Sequence, residues 1–234
     1  GTACLECRRR RGRVQRDCCE RGRRDARGSW RAESSDARGQ LGVACERALD
    51  LSPDPFETAW ILACLGKAHA EGGDAAQAIP LLEQAVELAD QVRSLQLRCW
   101  FRTMLGDAYL LGGQMDKARA VAGQALDSCK DVSFSLGIGW SHQVLGLVAQ
   151  AQGALAEGER HLGDALQAFV SVNARFEMGR TRLFLASLAH ARGNSEAARA
   201  HLNEGRSLFK ALRIPKYVER TEQLAREFGV SLLQ

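Results

Sequence analysis

Four segments of this chain align without a gap at a spacing of 40 residues, and this periodicity restricts the fold more than any other feature. They are WILACLGKAHAEGGDAAQAIPLLEQAVEL from Trp60, WFRTMLGDAYLLGGQMDKARAVAGQALDS from Trp100, WSHQVLGLVAQAQGALAEGERHLGDALQA from Trp140 and RTRLFLASLAHARGNSEAARAHLNEGRSL from Arg180. Repetition at this period makes each unit one supersecondary element that buries its apolar face by stacking on its neighbours.

The columns of the repeat have a physical meaning. Leu65, Leu105, Leu145 and Leu185 form an apolar column on a first helix, followed by Gly66, Gly106, Gly146 and Ala186, small enough for close helix approach. Gly73, Gly113, Gly153 and Gly193 fall where that helix must end, the usual place for a glycine with positive φ. A second helix then carries Ala78, Ala118, Gly158 and Ala198. At i+4 come Leu82, Ala122, Leu162 and Leu202, and at i+7 Ala85, Ala125, Ala165 and Gly205. This spacing predicts first helices near 55–72, 95–112, 134–152 and 174–192. Second helices follow near 75–91, 115–130, 155–171 and 195–211.

The pattern Leu65-Gly66, Tyr109, Ala78 and Ala85, with its 40-residue equivalents, resembles the tetratricopeptide repeat over roughly residues 41–212. The usual period of that family is about 34 residues, so each unit here adds about six, or one turn per helix if shared. Long repeats of this kind resemble those of bacterial signalling proteins. The resemblance implies an all-α, right-handed superhelical solenoid of antiparallel helix pairs. It also implies a concave groove lined by one phase of the first helices and the positions three and seven residues later. Here those are Trp60, Trp100, Trp140 and Arg180, then Ala63, Thr103, Gln143 and Leu183, then Lys67, Asp107, Leu147 and Ser187. Tryptophan favours binding hot spots. The competing expectation is that the longer helices bury each tryptophan against the neighbouring unit.

The ends of the array depart from the repeat. CERALDLSPDP, from Cys45 to Pro55, matches a second helix without its first, so residues 41–55 are expected to form a partial repeat. After the break at Ile214-Pro215, residues 216–228 read as an amphipathic helix with Tyr217, Val218, Leu224, Ala225 and Phe228 on one side. It is expected to cap the four repeats of 56–212, within a C-terminal segment 213–234. That ending resembles the close of long repeat regions in bacterial cyclase–ATPase fusions and large ATP-binding transcriptional regulators. The chain is accordingly expected to end where its parent protein ends.

The first forty residues hold twelve arginines and six acids, a net +6, whereas the whole chain carries only +4. The basic character therefore belongs to this head and not to the repeats. Cys4-x-x-Cys7 is a half-site for zinc, but the adjacent Cys18 and Cys19 are a poor second half, and no histidine lies in the head. No metal site is expected; those four cysteines are the weak candidates. An arginine run of this kind binds polyanions with little specificity. High charge and few apolar residues predict disorder. The head is also the kind of text that GC-rich coding DNA gives when read out of frame, an idea that a native peptide from residues 1–40 would exclude.

Nothing in the repeats suggests catalysis. His69, His142, His161, His190 and His201 are not paired at i, i+4, and no HExxH, GxSxG or phosphate loop occurs. Asp74 is explained as a helix cap. No apolar run is long enough for a bilayer span, and no signal peptide is recognisable. The expectation is a cytoplasmic, non-enzymatic scaffold for protein–protein interaction, without cofactor. It would be the C-terminal regulatory or sensing part of a larger bacterial signalling protein. Its expected partner is a protein or peptide segment, not a membrane. The other readings are a sensor of a peptide ligand and, less favoured, a nucleic-acid binder acting through the arginine-rich head.

Overall fold

The computed structural model describes residues 54–233, together with Cys45 and Ala48. Among the described residues there are nine helices and no strand. They are α1 Pro55–Glu71, α2 Ala75–Gln91, α3 Leu95–Leu111, α4 Met115–Asp131, α5 Ser135–Ala151, α6 Leu155–Ser171, α7 Arg175–Ala191, α8 Ser195–Ala211 and α9 Pro215–Glu227. The first eight have 17 residues each, or about 26 Å of helix. This is the all-α repeat fold expected from the columns. The arginine run, Cys4, Cys7, Cys18, Cys19 and most of the partial repeat lie outside the described residues.

Each helix starts 20 residues after the one before it. This rhythm depends on a three-residue connection whose middle residue has positive φ. After α1, α3, α5 and α7 that residue is Gly73, Gly113, Gly153 or Gly193. After α2, α4, α6 and α8 it is Arg93, Ser133, Asn173 or Arg213, with φ between 52° and 57°. The next N–H then reaches back to satisfy a helix-end carbonyl, as in Gln114 N–H to Tyr109 O at 2.8 Å and Phe134 N–H to Cys129 O at 2.8 Å. The left-handed conformation costs a residue with a Cβ about 1–2 kcal/mol. Ser133→Gly should therefore stabilise the protein by about 0.5–1 kcal/mol, partly offset by the greater freedom of the unfolded chain. A lower urea midpoint for this variant would contradict the assignment of strain to this turn.

The chain divides into two compact units, residues 1–93 and 94–234. In the first, α1 packs on α2. Cys45 and Ala48 are helical and buried, and they join Ile61, Cys64 and Leu65 in one apolar cluster, against which Trp60 and Leu81 pack. A Cβ at Gly66 would lie 2.7 Å from Leu82 Cγ, so the small residue sets the approach of the pair.

In the second unit each helix from α3 to α9 packs on the next, and α3, α5 and α7 also touch one another in that order. The first helices of successive pairs therefore form a contiguous layer. A Cβ at Gly146 would meet Leu162 Cγ at 2.8 Å. One buried layer changes its residues while keeping its volume. Cys99 and Cys129 fill it between α3 and α4. Gly139 lies under the Phe169 ring between α5 and α6, and Gly179 lies under Phe209 between α7 and α8. Burial and the neighbouring Cys99 thiol push the Cys129 thiol well above the usual thiol range, so it stays protonated.

The last helix, α9, covers α8. Leu224 and Ala225 join Leu183, Ala186, Leu202 and Phe209 in one core, with Tyr217, Val218 and Phe228 packed against it. Tyr217 stands edge-on to Phe176 at 5.0 Å between centroids, and Phe228 stacks on His190 at 4.2 Å. Arg206 pairs with Glu222 at 3.0 Å and donates to Leu233 O at 2.7 Å, which pins the tail after α9.

Candidate partner-binding surface

The residues singled out for a groove fall into three rows with different exposure. Trp60, Trp100, Trp140 and Arg180 are all half-buried. Ala63, Thr103, Gln143 and Leu183, one helical turn further on, are all buried, at 1–6% exposure. Lys67, Asp107, Leu147 and Ser187, another turn along, are again half-buried. In the second unit Thr103, Gln143 and Leu183 form a floor beneath the surface, and in the first Ala63 is buried at the same phase. Thr103 turns its hydroxyl back to Trp100 O at 2.6 Å, and Gln143 Nε2 donates to Thr181 Oγ1 at 2.7 Å, tying α5 to α7. Thr181 in turn donates to Glu177 O at 2.7 Å. This internal satisfaction leaves the floor with little to offer a ligand.

In the second unit the aromatic row is built by contact between helices. Trp100 of α3 and Trp140 of α5 stack with centroids 5.9 Å apart and planes 17° from parallel. Phe134 meets Trp140 edge-on at 6.2 Å. On α7, Arg180 pairs with Glu177 at 3.1 Å and places its guanidinium 5.8 Å from the centre of the Phe184 ring. Both tryptophans therefore keep part of their surface at the solvent while packing against each other, between the exposed and buried alternatives considered above. In the first unit Trp60 packs against the apolar cluster, and Lys67 lies 3.9 Å from Glu71.

A second cluster was not legible from spacing along single helices. His142 of α5 and His161 of α6 face each other, Nδ1 to Nδ1, at 3.0 Å. Asp164, one turn beyond His161, lies 3.9 Å from His142 Nδ1. Burial is the main cause that drives His142 down to about 4 and also lowers His161, so both rings are neutral near pH 7. The signal that would have revealed the pair is a comparison of columns 142 and 161 across the helix pair; each histidine taken alone on its own helix gives none.

The fold is that of a helical-repeat domain. Two tetratricopeptide-repeat family models match the chain, at residues 56–131 and 179–204. Those two regions carry tetratricopeptide repeats. No curated protein sequence matches the chain.

Solved structures share the fold at low identity. A Rap protein complexed with competence and sporulation factor is 13% identical with a TM-score of 0.74, over 83% of this chain and 56% of that one. The Rap conjugation gene regulator of plasmid pLS20, in complex with a Phr peptide, is 16% identical with a TM-score of 0.72, over 82% and 55%. A signal transduction ATPase with numerous domains and a tetratricopeptide repeat sensor, from Pyrococcus horikoshii, is 15% identical with a TM-score of 0.60, over 79% and 31%. The chain thus spans little more than half of the Rap chains and a third of the ATPase. Among the described residues no helix is long and apolar enough to cross a membrane.

Proposed function

We infer that the chain binds an extended or helical protein segment on the layer formed by the first helices of its second unit, without catalysing a reaction on it. The stack of Trp100 on Trp140 carries this reading: two large, rigid, half-exposed rings on adjacent helices offer an apolar anchor at little cost in entropy. Asp107 and Leu147, two turns along the same helices, supply a polar and an apolar contact beside it, and Arg180 and Ser187 extend the row on α7. In the first unit Trp60 and Lys67 occupy the same phase. In the second unit the buried residues Thr103, Gln143 and Leu183 support the surface from below and do not contact the segment.

The binding domain is proposed to be the regulatory or sensing part of a larger bacterial signalling protein. The likeness to Rap proteins solved with a signalling factor or peptide, and to an ATPase with a repeat sensor, supports this reading. The same likeness favours a second reading, in which a short peptide acts as the signal and binding alters the packing of the helix pairs.

Affinity capture by the full chain, compared with the Trp100→Ala and Trp140→Ala variants and read by mass spectrometry, tests the proposal. A protein or peptide retained by the wild type and lost by both folded variants supports it. Identical captures would sink it. A peptide-dependent change in tryptophan emission would favour the sensor over a static scaffold.

A further inference from the structure

The third repeat holds a site that the fourth repeat explains. His142, His161 and Asp164 offer two imidazole nitrogens and a carboxylate oxygen, all within 4.8 Å of one another. Forty residues on, the same three places hold Arg182, His201 and Glu204. There the Arg182 guanidinium lies 3.1 Å from His201 Nδ1 and 2.6 Å from Glu204 Oε2. The fourth repeat thus supplies its own cation to a histidine and a carboxylate one turn apart on its second helix. The third repeat keeps the histidine and the carboxylate, but replaces the arginine with a third electron-pair donor. In place of the guanidinium contact, His142 Nδ1 and His161 Nδ1 stand 3.0 Å apart.

We propose that the third repeat binds one divalent transition-metal ion of the zinc class through His142 Nδ1, His161 Nδ1 and Asp164 Oδ2, where the fourth repeat carries the guanidinium of Arg182. Two nitrogens bound to one zinc at about 2.0–2.1 Å stand about 2.8–3.0 Å apart at octahedral angles and about 3.3–3.4 Å apart at the tetrahedral angle. The observed 3.0 Å separation needs only a small opening of the pair. Asp164 must move by about an ångström towards the ring nitrogens to reach zinc-ligand spacing, and its side chain is 40% exposed and able to do so. Two imidazoles with one carboxylate select zinc-class ions over calcium and magnesium, which favour oxygen sets.

Carboxylates and cations both face the pair, and Arg160 lies 3.4 Å from His161 Nε2. Glu157 lies 3.8 Å from His161 Nε2, on the far side of the ring from the proposed metal, where a carboxylate orients a ligand imidazole. Arg119 already pairs with Glu157 at 2.8 Å and with Gln152 at 2.6 Å. Arg160, 4.0 Å from Asp164, is 63% exposed and can swing into water. The open side next to Asp164 leaves the remaining position for water.

The test uses the full chain with Cys4, Cys7, Cys18 and Cys19 replaced by serine, so that the head cannot supply thiolates. Titration with ZnCl2 should show one saturable site per chain. Co2+ in its place should give d–d bands without the intense near-ultraviolet absorption of thiolate ligation. His142→Arg installs the guanidinium of the fourth repeat; it should keep the far-UV spectrum and weaken zinc binding by about 100-fold or more. Asp164→Asn leaves the buried pair untouched and should weaken binding by about 10-fold or more, which keeps the test decisive if the arginine variant does not fold. Absence of a saturable site in the folded parent, unchanged affinity in both variants, or a thiolate band with Co2+ would overturn the proposal.

Discussion

Phe169→Ala is expected to destabilise the second unit by about 3–5 kcal/mol, the range for removing a large aromatic from a sealed core. Phe169 is fully buried, and its ring lies over Gly139 so closely that a Cβ there would stand 2.4 Å from Cε1. Gly139→Ala alone should also destabilise, by about 1–3 kcal/mol, because the new methyl pushes the ring out of place. The informative variant is the pair. With Phe169 already replaced by alanine, the second change loses its clash, fills part of the cavity and gains up to about 1 kcal/mol of helix propensity. Gly139→Ala should therefore stabilise the protein when made in the Phe169→Ala background, reversing its sign. Urea unfolding followed by far-UV circular dichroism measures all four corners of the cycle. Two effects that simply add would show that the glycine and the ring do not share one space.

Trp140→Ala is expected to weaken binding of the partner segment by about 2–4 kcal/mol, roughly 30- to 1,000-fold. The ring stands between Trp100 and Phe134, so its removal takes away an anchor and also releases the ring stacked on it. Trp140→Phe should retain most of the affinity, because a smaller aromatic still meets both neighbours. Leu183→Val, a change in the buried floor, should leave affinity within about twofold while lowering stability by about 1 kcal/mol. The two readouts thus separate a binding role from a packing role. Should Trp140→Ala melt the fold while the surviving folded protein binds as before, the row is a packing device only.

Much of this was legible in the sequence because the repeat multiplies weak signals. A single Leu-Gly pair says little, but four in register placed all eight repeat helices within two residues of their observed ends. The turn glycines were legible for the same reason. Arg93, Ser133, Asn173 and Arg213 were not, because nothing in their side chains advertises positive φ; only the 20-residue rhythm implies it. The candidate surface was legible by phase and not by depth. Helical phase puts Thr103 and Gln143 on the same helix faces as the tryptophans, but the lateral packing of α3, α5 and α7 covers them. The histidine–aspartate cluster needs two helices at once, and reading each helix alone could not assemble it.

The matched pairs Cys99 with Cys129, Gly139 with Phe169 and Gly179 with Phe209 also bear on how such an array can change its length. Each pair belongs to one 40-residue unit, with its small and large members on the two helices of that unit. A duplication or deletion of a whole unit carries both members together and leaves every layer filled. A recombination joint between the two helices of a unit would set Gly139 against a cysteine, leaving a hole, or Cys99 against a phenylalanine, forcing a collision. The volumes in this layer thus act as a reading frame for rearrangement, tolerating gain or loss of a whole helix pair and penalising a joint that sets a helix of the Cys99–Cys129 pair against one from a glycine–phenylalanine pair.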